Sequence, residues 1–320
     1  MTGRTTWAPW MAGWVALAAL SGCSGSDSTP PGGTGGAAAT GGSGAGGAGG
    51  AGAVGGGGAG GATGTCPPRT SATQAVHIAF QVTWPGSIGT EPGSGTVHVW
   101  TRSRLTYSGS SIAAVNSACG TVIPDITKTP IAGGGKVAAD FLPEVWDAPT
   151  MPTFPTTGTQ SGWDVGSTVT MEPTIALVGT TMSDPLAAWP PLSGVTPVDH
   201  DGDGKPGITS TPRGTGGYSL PPLSLLQSSH ADQLYIASRT TSAVGGTRQA
   251  CDRIVGTATV YAFNNHIVGC RKQGGGDCSA SEYQFVDDNR TVYQPGAATY
   301  ESVIVADDAT CADVRGALPM

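Results

Sequence analysis

The chain is predicted to be all-β, an antiparallel β-barrel with a β-sandwich as the alternative, and three observations predict it. Apolar residues recur at every second position in several separate runs, the period of a half-buried strand. Charged residues make up only 12% of the chain, with Thr, Ser, Gly and Pro abundant instead, a composition that suits strands and tight turns. No long helical period follows the first two dozen residues.

Val76, Ile78, Phe80, Val82 and Trp84 alternate with polar or small residues. Residues 95–107 repeat the character, with Val97, Val99, Leu105 and Tyr107 on one face. Further strands are expected at 112–123, 136–141, 167–178, 233–239, 254–263, 266–271, 282–286 and 300–306. Asn264 and Asn265 lie between two of these runs and read as a two-residue hairpin turn, because Asn tolerates positive φ. A short helix near 308–315 is expected to stop at Gly316. So many short antiparallel strands must close on themselves or stack in two sheets; closure is the preferred reading.

The amino-terminal residues read as an export signal. Arg4 is the one charge before the apolar run 11–20, which is too short to span a bilayer. Leu20-Ser21-Gly22-Cys23 ends that run and resembles the lipobox of bacterial lipoproteins. The resemblance covers this stretch alone. It implies cleavage after Gly22, acylation of Cys23 and a membrane partner held through the lipid. Several acyl chains give stable anchoring, since each buried methylene adds about 0.8 kcal/mol. Ser24 after the cysteine implies the outer membrane, on its periplasmic or surface face. Residues 24–65 are almost wholly Gly, Ala, Ser and Thr, with Asp27 the only charge, and have too little apolar surface to form a core. The expected organisation is a signal peptide at 1–22, a lipidated cysteine and Gly-rich tether at 23–65, and an all-β domain at 66–320.

Six cysteines follow Cys23: Cys66, Cys119, Cys251, Cys270, Cys278 and Cys311. In an exported chain they read as three disulfides. Spacing favours only Cys270–Cys278, which flank a short Gly-rich loop. A zinc site is disfavoured, as no C-x-x-C or paired-histidine spacing is present. The net charge of −7 with no basic run argues against a nucleic-acid partner.

The sharpest local motif runs from Asp199 through Asp201 and Asp203 to Gly204 and Lys205. Carboxylates at positions one, three and five can converge on a hard cation, with the Lys205 backbone carbonyl at position seven. Over about ten residues the loop resembles those of EF-hands, dockerins and integrin-type propeller repeats, which implies Ca²⁺ in a structural role. It departs from them at Gly207, where propeller loops have Asp, and at Ser210, where an EF-hand has Glu.

No nucleophile elbow, H-E-x-x-H or phosphate-binding loop occurs in residues 66–320. His77 and His98 fall opposite the apolar face of their strands. Asp287-Asp288 and Asp307-Asp308 read as solvated turn residues rather than a glycosidase pair. Trp146 and Trp163, among Pro and Thr, read as a plug over the barrel core, with a carbohydrate-stacking surface as the rival. The functional expectation is therefore a non-enzymatic lipoprotein that presents a β-domain for binding or surface interaction. A lipocalin-like carrier of an apolar small molecule and a secreted hydrolase with acidic residues are the alternatives.

Overall fold

The structure, a computed structural model, describes residues 64–214, 217–221 and 229–320. The expected signal peptide, the lipobox-like stretch with Cys23 and nearly all of the expected tether lie outside the described residues. Eight long strands carry the fold: β1 (Ser71–Trp84), β2 (Gly93–Ser108), β3 (Ser111–Val122), β4 (Thr153–Gln160), β5 (Thr168–Val178), β6 (His230–Ala250), β7 (Arg253–Lys272) and β8 (Gln294–Val305). Each pairs antiparallel with the next in the chain, and β8 pairs with β1. The ring is an up-and-down barrel, the closed alternative, and closure leaves no free sheet edge where pairing is complete.

The alternation read from sequence sets which side chains face inward. Phe80, Val82 and Val97 are buried on the inner phase, while His77 and His98 lie on the outer phase as expected. One end of the barrel is tight, with strands joined by residues 109–110, 161–167 and 251–252. There Arg248, 1% exposed, lies over the Trp163 ring at 5.1 Å and donates to Cys251 O and Gln160 Oε1. The other end carries the long connections 85–92, 123–152, 179–229 and 273–293. A side branch grows from it: Ile208–Gly214 pairs with β6, then with Lys136–Asp140, which pairs with Ile126–Thr127.

Three disulfides form: Cys66–Cys251, Cys119–Cys311 and Cys270–Cys278, the last as spacing favoured. Two α-helices complete the fold among the described residues. Helix α1 (Ala280–Asp288) replaces the strand expected at 282–286, because Ser279 and Glu282 form a capping box that satisfies the first free N–H groups. Helix α2 (Cys311–Ala317) realises the short helix expected near the end and continues through Gly316.

The hairpin expected at Asn264-Asn265 is not formed. Both residues lie inside the continuous strand β7, opposite Arg239 and Ser238 of β6. Asn264 Oδ1 accepts from the Arg239 guanidinium, and irregularities in the β6–β7 register change the phase of the apolar pattern on either side. The turn falls instead at Cys251-Asp252. Strand β4 was not expected: its Thr-rich, Pro-containing sequence carries little apolar period.

Candidate functional site

A cavity of about 160 Å³ lies inside the barrel. Its apolar wall includes Val76, Ile78, Phe80, Val99, Val260 and Phe263, and Trp146 caps it from the long-loop end. Trp146 is 6% exposed and packs edge-on against Phe141, the plug the sequence suggested. Hydroxyls and amides from Gln74, Ser103, Asn116, Ser238, Thr240 and Ser242 enter the same lining. Among its described residues Glu172 is the single ionisable carboxylate, and no Lys, Arg or His takes part.

The barrel wall is thin at one place. Strands β4 and β5 pair only over residues 158–160 against 169–171. Beyond them Pro155 and Pro173 each lack an N–H, which weakens a ladder there. Thr156 Oγ1 donates to Glu172 O at 3.0 Å across this stretch. Glu172 is both solvent-exposed and part of the cavity lining. A second cavity of about 140 Å³ lies under the long loops and shares Ile123, Ile236 and Asn265 with the first.

The aspartate loop folds at the same end. Asp199, Asp201 and Asp203 each place a carboxylate oxygen within 4.8 Å of the others, and together they could hold a metal ion. Gly202 and Gly204, with φ of 77° and 81°, make the bend that L side chains resist. Their N–H groups donate to Asp199 Oδ1 and Oδ2 at 2.6 and 2.8 Å. Burial acts against ionisation of Asp199, but these backbone donors win and hold its carboxyl below the ordinary range. Burial pushes the Asp201 carboxyl up, and Asp203 and Asp199 beside it add to the rise. Thr209 donates through N–H to Asp201 Oδ2 and through Oγ1 to Asp203 Oδ2, while Asp201 Oδ1 is buried with no hydrogen-bond partner among the described residues. The Lys205 side chain turns away to pair with Asp277 at 3.0 Å. Ser210, at position twelve, is buried and its hydroxyl donates to Leu234 O, so no carboxylate arrives there.

The expected solvated Asp287 is instead 1% exposed, because α1 packs on β7 with this residue against His266 and Ile267. Its oxygens face His266 Nδ1 at 2.8 and 3.0 Å and accept from Ile267 N and Arg290 Nη1 at 2.8 and 3.2 Å. His266 Nε2 faces Pro190 O at 2.9 Å, and Trp189 stacks on the ring. With both nitrogens engaged, the cluster ties Pro190 and helix α1 to strand β7 of the barrel.

On the outer face His77 Nε2 and His98 Nδ1 lie 3.0 Å apart, and Trp100 stacks on both rings. Burial, with His98 adding to it, lowers the His77 pKa to about 4, and burial also lowers that of His98. Both are depressed below the unfolded value of about 6.5. The neutral pair therefore stabilises fully above that pH, and stability is lost as pH falls toward 4, where the unfolded chain takes up protons that folded His77 refuses. Denaturant melts at pH 7.5 and 4.5 should show that loss. The double variant His77→Gln/His98→Gln should be less sensitive over the same window, and an unchanged acid slope would contradict the assignment.

Gln74, Ser103, Asn116 and Glu172 were missed from sequence. A signal existed: Gln74 stands in phase with Val76, and Ser103 with Leu105, so each is a polar residue on an apolar phase. No known protein family, curated protein or solved structure matches this chain.

Proposed function

We propose that this chain is an exported, lipid-anchored protein whose barrel holds a small, largely apolar molecule, the carrier reading rather than a bare surface module. The observation that carries it is the cavity of about 160 Å³ walled by Val76, Ile78, Phe80, Val99 and Val260. An engineered apolar cavity of about 150 Å³ in another protein takes up benzene, so the volume suits one ring. A two-carboxylate hydrolase finds less support, since among the described residues Glu172 stands alone in the first lining and the second holds no carboxylate. Lipidation of Cys23 and the Gly-rich tether would hold the barrel at the outer membrane. No helix among the described residues is long and apolar enough to cross a membrane. Methyl NMR of the chain with added benzene tests the reading. The expected shifts cluster at Val76, Ile78, Val99 and Val260, whereas shifts confined to surface methyls would contradict it. Val99→Trp should fill the space and remove the response.

The aspartate loop supports a second, structural element, a Ca²⁺ ion bound by Asp199, Asp201 and Asp203 with the Lys205 carbonyl. Three carboxylates without a bidentate Glu suit the weaker range, a Kd of about 10⁻⁴–10⁻³ M. Calcium at several millimolar should then raise stability by about 1–2 kcal/mol. In a domain of this size that is a few degrees in Tm. Asp201→Asn should abolish the rise; equal shifts in both proteins, or none, would remove the ion.

A further inference from the structure

The cavity wall carries a polar row that contacts within the described residues satisfy only in part. Gln74 on β1 lies opposite Ser103 on β2, and Ser103 lies opposite Asn116 on β3. All three line the cavity, at 3%, 4% and 8% exposure. Asn116 Nδ2 donates to Phe154 O, whereas the Gln74 amide and the Ser103 hydroxyl have no side-chain hydrogen bond among the described residues. The rows beside them on this wall are Val76 with Thr101, and Leu105 with Ala114. Buried amides and hydroxyls are ordinarily satisfied, and leaving one unmet costs about 1–3 kcal/mol. A row that faces into a cavity is satisfied by what occupies it.

The charge of that occupant follows from the lining. Among the described lining residues there is no Lys, Arg or His to neutralise an anion, and the one carboxylate, Glu172, belongs to a solvent-exposed residue. Arg248, buried at the tight end, is not part of the lining; it donates to Cys251 O and Gln160 Oε1 and rests on Trp163. A carboxylate brought inside would lose its hydration with no ion to replace it. Neutral hydroxyl, carbonyl and amide groups suit the row, because Gln and Asn amides and a Ser hydroxyl can each donate and accept.

We propose that the occupant is an uncharged molecule about one ring in size, carrying a hydroxyl, carbonyl or amide group that docks on Gln74, Ser103 and Asn116. This rests on the carrier reading above and specifies its ligand class. The test is calorimetric titration of the whole chain with benzene, phenol, benzoate and benzylamine. Phenol should bind about tenfold tighter than benzene, the worth of one good hydrogen bond. Benzoate should bind at least about 100-fold more weakly than phenol. The double variant Gln74→Leu/Ser103→Ala should bring phenol down to the level of benzene while benzene binds as well or better. Ser103→Ala alone, a smaller change, should give part of the same loss if the double variant folds poorly.

The alternatives separate cleanly. If no ring compound binds, the carrier reading falls and this proposal with it. If benzene binds but phenol gains nothing, the row is merely hydrated and only the proposal falls. Benzoate binding as tightly as phenol would place Arg248 in the site, and benzylamine binding tighter than phenol would assign recognition to Glu172. Either overturns the uncharged ligand.

Discussion

Asp287→Ala should destabilise the protein by about 3–5 kcal/mol, the usual loss when one partner of a buried charge cluster is removed. The carboxylate at 1% exposure serves His266, the Ile267 N–H and Arg290 together, so truncation strands several buried polar groups at once. His266 would keep only Pro190 O, and the hold of α1 on β7 would lose its polar centre. Asp288, the exposed neighbour in sequence, is the natural control, and Asp288→Ala should stay within about 0.5 kcal/mol. Denaturant unfolding of the two variants checks this. Equal, small losses would mean that the cluster is solvated, as a bare reading of the Asp-Asp pair suggests.

The second large effect is expected at the disulfides. Cys119–Cys311 closes 192 residues and Cys270–Cys278 only 8. If a disulfide acts by restricting the unfolded chain, removal of the first as Cys119→Ala/Cys311→Ala should cost about 2–3 kcal/mol more than the matching double variant of the second. The long-range bridge also fixes α2 on the outer face of the barrel. There Val314 is fully buried, Trp100 Nε1 donates to Leu318 O at 2.7 Å, and Arg102 Nη1 donates to Ala309 O at 2.8 Å. Equal losses for the two pairs in guanidinium melts would show that the restraint on the unfolded chain is not the main effect.

How far the fold was legible varies along the chain for physical reasons. Strands β1 and β2 carry an unbroken period of two, so both their existence and their inner faces could be read. At Asn264-Asn265 the register irregularities between β6 and β7 shift the phase, so one long strand looks in sequence like two short ones. Helix α1 resembles a strand in sequence because Tyr283, Phe285 and Val286 suit one, although Ser279 and Glu282 carry the capping box. The pairing of Cys66 with Cys251 and of Cys119 with Cys311 depends on barrel closure, which spacing does not encode. The candidate cavity was legible only as a category. Its polar row spans three strands, and cross-strand register brings Gln74, Ser103 and Asn116 together. The aspartate motif was legible outright, because all its carboxylates lie within one turn of chain.

The central claim, that the barrel interior admits a small apolar molecule, is met most directly by xenon pressurisation of crystals of the protein, since xenon enters apolar cavities of this size. The expected result is a xenon atom inside the barrel, in van der Waals contact with Ile78, Val99 and Val260. Interior space filled by side chains or by an ordered water column, with xenon absent, would contradict it.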